Sequence, residues 1–94
     1  MLQVESRHKK IIYQILSKYP YRFYAYGSRV KGQAEKYSDL DLCYQEVIPW
    51  NVLSHIREDL EESNLPFKVD LVSWELMGSD FQELIKEDLV LVGE

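Results

Sequence analysis

Cysteine occurs once in the 94 residues, at Cys43, so the chain has neither an internal disulfide nor a multi-cysteine zinc site. Histidine occurs twice, at His8 and His55, and two isolated histidines point to structural or solvated side chains rather than to a metal site. No stretch approaches the roughly 18 consecutive apolar residues that a membrane span requires. The opening residues, MLQVESRHKK, lack the apolar core of a signal peptide. These absences predict a cytoplasmic chain with no membrane partner. Repeats and low-complexity runs are also missing, and the length suits one small domain spanning residues 1–94, with no room for a second substrate domain.

The net charge is −5, which argues against binding nucleic acid through its phosphates. The charge is unevenly distributed. Eight of the eleven Lys and Arg lie at or before Lys36, and fourteen of the sixteen acids lie after it, so a polarised surface could attract an anionic substrate or a basic partner.

Val4, Ile11, Ile12, Ile15, Leu16 and Tyr19 fall on one helical stripe, and Pro20 ends it. The aromatic run at 21–26 reads as a strand, and Gly27-Ser28 marks a sharp change of direction into a short helical segment. The stretch at 38–47, SDLDLCYQEV, reads as a second strand, with Leu40, Leu42 and Tyr44 on one face and Asp39, Asp41 and Cys43 on the other. Pro49 opens an amphipathic helix carrying Leu53, Ile56 and Leu60. A third strand, FKVDLVSW at 67–74, turns Phe67, Val69 and Leu71 to the core and Asp70 away from it. Ser79 and Gln82 have the spacing of a capping box for a last helix, with Phe81, Leu84 and Ile85 as its buried stripe, and the LVLV at 89–92 could add an extended piece. The order predicts an α/β (α+β) fold, a small mixed β-sheet with helices packed against it.

Two carboxylates at i and i+2 of a strand face the same space and repel each other unless a cation lies beside them. Hard divalent ions such as Mg²⁺ take oxygen ligands and leave positions open for substrate phosphates. Asp70, on a neighbouring strand, could join Asp39 and Asp41. Backbone N–H groups and the hydroxyl at Gly27-Ser28 could hold a phosphate, because glycine lets the backbone approach the anion closely. Arg29, Lys31 and Lys36 lie between the two halves of the motif and could balance phosphate charge. A phosphate cradle, a carboxylate pair and a third acid are the parts of a metal-assisted phosphoryl or nucleotidyl transfer site.

GSRVKGQAEKYSDLDL, with KVDLV downstream, resembles the signature of the minimal nucleotidyltransferases within the polymerase-beta-like nucleotidyltransferase superfamily. Val30-Lys31 stands where family members often have Ala-Arg. The resemblance implies that Asp39 and Asp41 bind two Mg²⁺ ions and that Asp70 binds one of them and orients or deprotonates the attacking hydroxyl. It also implies that Gly27 and Ser28, with Arg29 as a further contact, bind the triphosphate of an ATP substrate. Chains this small resemble the antitoxins of toxin–antitoxin pairs that transfer AMP to a tyrosine of a HEPN-type ribonuclease toxin, which predicts such a protein partner in a hetero-oligomer. Trp50 and Trp74, at segment boundaries, are the first candidates for the interface. A binding-only antitoxin that occludes its partner and a nucleotidyltransferase acting on a small molecule are the alternative readings.

Overall fold

The computed structural model describes residues 2–92. Helix α1 (Ser6–Leu16) leads into β1 (Phe23–Tyr26), a single-turn helix α2 (Ser28–Lys31), β2 (Leu40–Tyr44), α3 (Trp50–Glu61), β3 (Val69–Ser73), a 3₁₀ turn (Trp74–Leu76), α4 (Ser79–Ile85) and β4 (Val90–Val92). The sheet order is β3-β2-β1-β4. β1 runs antiparallel to both of its neighbours, and β2 and β3 run parallel. A parallel pair needs a crossover, and α3 supplies it.

The period-2 alternation of β1 and β2 explains the division of the two sheet faces. Phe23, Ala25, Leu40, Leu42 and Leu71 turn to one face and meet Ile12 and Leu16 of α1 and Leu53, Ile56 and Leu60 of α3 in the main core. The two helices are tied together where Lys18 Nζ and the Tyr19 hydroxyl, just past α1, both donate to Asp59 of α3. The opposite face carries a much smaller cluster, Tyr26, Cys43 and Ile85, with Tyr24, Trp74, Met77 and Leu89 against it. Among the described residues α4 and its approach cover this side, with Phe81 of α4 edge-on to Tyr26.

The expected elements form, with shorter bounds. β2 begins at Leu40, so Asp39 sits in the turn before the strand rather than inside it. Of the expected piece at 89–92, Val90–Val92 pairs with β1 as β4 and Leu89 lies outside the strand. The expectation for α4 requires correction. Gly78 is its N-cap, so Ser79 is already the first helical residue and no side chain caps the helix, while the Gln82 amide donates to the Trp74 carbonyl at 2.8 Å. Of the expected buried stripe only Ile85 is buried, while Phe81 and Leu84 are 42% and 67% exposed. A seven-residue helix lying on the thin side of the sheet has little core to face. Trp50 is exposed, Trp74 is half-buried, and His8 packs edge-on to Phe67. Among the described residues no helix is long and apolar enough to cross a membrane.

Candidate active site

Parallel pairing places Asp41 of β2 directly beside Asp70 of β3, and residues in register across a pair share a face, with strands about 4.8 Å apart. On the other side, antiparallel pairing sets Tyr26 of β1 opposite Asp41. Tyr26, Asp41 and Asp70 therefore form a row across three strands on the thinly covered face. Asp39 stands one step outside β2 and is exposed. The chain leaves β1 through Gly27, whose backbone (φ 82°, ψ −154°) is one that side-chain-bearing residues rarely adopt. A Cβ on Gly27 would lie 2.6 Å from Asp41 Oδ2. The turn thus passes immediately against the carboxylate, and hydrogen at this position is what permits the approach.

Burial, then Asp70, then Asp39 raise the Asp41 carboxyl above its ordinary value. Burial, followed by Asp41, Cys43 and Asp70, pushes the Tyr26 phenol up to about 12. Partial desolvation is the leading cause of both shifts and the neighbouring negative charge follows, and an incoming cation would offset that charge. The ion pairs of the described residues include Lys68 Nζ to Asp70 Oδ1, at 3.6 Å, and none to Asp39 or Asp41. Among the described residues no three acidic, histidine or cysteine side chains stand close enough to hold a metal ion between them. The oxygen donors at Asp39, Asp41 and Asp70 nevertheless have the chemistry of a hard divalent cation, which is commonly bound by one or two carboxylates completed by substrate phosphates.

Ser28 opens α2. The Gly27 carbonyl accepts from the N–H groups of Val30 and Lys31, so the helical ladder begins there and leaves the N–H groups of Ser28 and Arg29 outside it. Gly32, in left-handed conformation, ends the turn.

Arg29 lies elsewhere than the expected triphosphate contact. Its side chain is buried at 5% exposure. Nε donates to the Ser38 carbonyl at 2.9 Å, Nη1 to Gln3 at 2.8 Å and Nη2 to Lys36 at 3.2 Å. The guanidinium stacks 4.1 Å from the centroid of Phe67. With each nitrogen engaged by a carbonyl, Arg29 fastens the N-terminal segment and the 32–39 loop to the core. Tyr26 is the site neighbour that the motif reading missed. Its position directly before Gly27, with strand alternation through Tyr24 and Tyr26, is the signal that could have found it.

A family model described as "Polymerase beta, Nucleotidyltransferase" matches residues 7–94. The chain is 39% identical over 97 aligned positions to the "Probable protein adenylyltransferase MntA" of Haemophilus influenzae, covering 99% of this chain and 85% of that protein. A crystal structure of a "putative nucleotidyltransferase" from Sulfolobus solfataricus aligns over 89% of this chain and 74% of its own, at a TM-score of 0.49 and 20% identity. The assignment rests on the family model and the sequence relative, and on their evidence this chain belongs to the polymerase-beta-like nucleotidyltransferases.

Proposed function

We propose that the chain is an Mg²⁺-dependent antitoxin that transfers AMP from ATP to a tyrosine of a partner HEPN ribonuclease. The observation that carries this reading is the register of Asp41 with Asp70, with Gly27 drawn close against the Asp41 carboxylate. The likeness to a relative described as a protein adenylyltransferase supports a protein acceptor.

In this reading Gly27 and the N–H groups at Ser28 and Arg29 bind the terminal phosphates, with the Ser28 hydroxyl as a further donor. Asp39 and Asp41, joined by Asp70, are the groups that would hold Mg²⁺ brought in with ATP. Bound there, the ion would supply the positive charge that offsets the phosphates and the carboxylates. Asp70 orients the acceptor phenol and takes its proton. The phenol oxygen bonds to the α-phosphorus, the bond from that phosphorus to the bridging oxygen breaks, and pyrophosphate leaves. Most of the acceleration would come from alignment and from charge placed in advance.

The test is to incubate the chain with Mg²⁺, α-labelled ATP and a candidate HEPN protein, then map label on the partner by peptide mass spectrometry. Label on a tyrosine, absent with Asp41→Asn, is expected. Label confined to a small molecule, or a partner inhibited without label, would refute the proposal.

A further inference from the structure

Residues 74–88, which form the 3₁₀ turn, α4 and the turn after it, carry five acids, Glu75, Asp80, Glu83, Glu87 and Asp88, against one base, Lys86. Glu83 pairs with Lys86, and Asp88 with Lys31. Glu75, Asp80 and Glu87 are exposed and form no ion pair among the described residues. Among these acids large apolar side chains stand in water: Leu76 is 84% exposed, and Phe81 and Leu84 are exposed with it. Phe81 and Leu84, at i and i+3, are neighbours on the helix surface, and Asp80 and Leu84, at i and i+4, share a face. An apolar patch rimmed by polar groups is the mark of a protein interaction surface. The patch also borders the candidate active site, since the Phe81 ring stands edge-on, at 5.9 Å, to Tyr26, and Tyr26 is the residue paired with Asp41.

Resting on the adenylylation of a ribonuclease proposed above, we infer that the exposed face of α4 is the docking surface for that partner, which meets it with a cationic surface around an apolar centre. Charge selects the occupant. A ribonuclease holds RNA phosphates with lysines and arginines and therefore carries a cationic surface, which the unpaired acids at Glu75, Asp80 and Glu87 complement. The same face of a second copy would set acid against acid. Phe81 and Leu84 supply the desolvated contacts that carry most of the binding energy of an interface, and the acids around them steer the encounter and fix its register. A partner seated there lies alongside Tyr26 and Asp41, so docking and transfer occur on one face of the sheet.

The probe is a candidate HEPN protein, and the quantities measured are its KM in the labelling assay and the calorimetric affinity of the chain for Mg-ATP. Leu84→Gln removes part of the apolar centre, and Asp80→Lys with Glu87→Lys reverses the rim. Glu58→Lys with Glu62→Lys makes the same change of net charge at exposed positions at the end of α3, across the sheet. Each of the first two variants should raise the KM of the HEPN protein about tenfold or more and leave the affinity for Mg-ATP unchanged. The α3 variant should change neither. Added salt should raise the KM of the wild-type chain and hardly affect that of Asp80→Lys with Glu87→Lys. Binding of the HEPN protein to the wild-type chain should also slow amide hydrogen exchange across Ser79–Ile85, a reading that needs no variant. Unchanged KM in either of the first two variants, an equal rise in the α3 variant, or no protection of α4 would overturn the inference. Self-association of the wild-type chain in sedimentation, abolished by Leu84→Gln, would assign the face to a second copy and overturn it too. A HEPN protein that binds but gains no AMP would instead refute the transfer reading, and calorimetric binding to the same variants, with the exchange experiment, would still decide the surface. No binding of it at all would overturn both.

Discussion

The Asp41 carboxylate lies so close to the Gly27 backbone that a Cβ there would stand 2.6 Å from Oδ2. The turn is thereby coupled to the acid, since a side chain at Gly27 would force the Asp41 carboxylate to shift. Gly27→Ala should therefore fail twice. The backbone conformation costs a non-glycine residue about 1–3 kcal/mol, and the methyl group displaces Asp41. A denaturant melt should show a loss of that order, and nucleotidyl transfer should fall about a hundredfold from misplacement alone. Full activity with unchanged stability would show that the turn and the acid act independently.

Asp41→Asn should have opposite effects on stability and activity. The folded-state pKa of Asp41 is raised, so the native state favours the protonated form, and its stability falls as pH rises from the ordinary carboxylate value through the raised one. The amide has no such penalty. Melting at neutral pH should give Asp41→Asn a midpoint equal to or above wild type, with the gap closing in acid. Transfer should drop by at least about a hundredfold. A variant that melts lower at neutral pH than in acid, relative to wild type, would contradict the electrostatic account.

Arg29 belongs to the scaffold. Arg29→Ala leaves the carbonyls of Gln3, Lys36 and Ser38 without their donor and removes the stack on Phe67, which should cost about 3 kcal/mol. Arg29→Lys keeps the charge but cannot span three carbonyls, and should recover only part. At a temperature where Arg29→Lys is folded, its KM for ATP should match wild type. A large rise in KM with unchanged stability would return Arg29 to the triphosphate.

The junction of α1 and α3 gives a separate pH signature. Hydrogen bonds from Tyr19 and then Lys18 hold the Asp59 carboxyl below its ordinary value. Its stabilising contribution is present above the unfolded carboxylate pKa and is lost as pH falls through the lowered folded value. Asp59→Asn should melt below wild type at neutral pH and converge with it in strong acid, the reverse of Asp41→Asn. Thermal melts across the acid range on both variants check the pair of signs.

The acids were legible because strand alternation is a local property. Leu40, Leu42 and Leu71 are buried and Asp41 and Asp70 face the other side, as period 2 requires. Long-range contacts could not be read in this way. Arg29 looks like a phosphate ligand from its place beside Gly27-Ser28, and only the folding of Gln3 and the 36–38 loop around it consumes the guanidinium. Phe81 and Leu84 have helical spacing, but periodicity cannot tell how much sheet lies beneath a short helix. The capping-box spacing at Ser79 and Gln82 failed because the helix starts one residue earlier than that spacing needs, with Gly78 as N-cap, and Gln82 spends its amide N–H on the Trp74 carbonyl.

The intact mass of a HEPN partner decides whether this chain, as proposed, transfers AMP to a protein tyrosine. The partner would be incubated in molar excess over the chain with Mg-ATP and then separated from it. Catalytic transfer would leave whole AMP additions on nearly all of the partner and its ribonuclease activity still lost after separation, with neither effect from Asp41→Asn. Inhibition only at stoichiometric amounts, indifferent to ATP and reversed on separation with no change in mass, would contradict it.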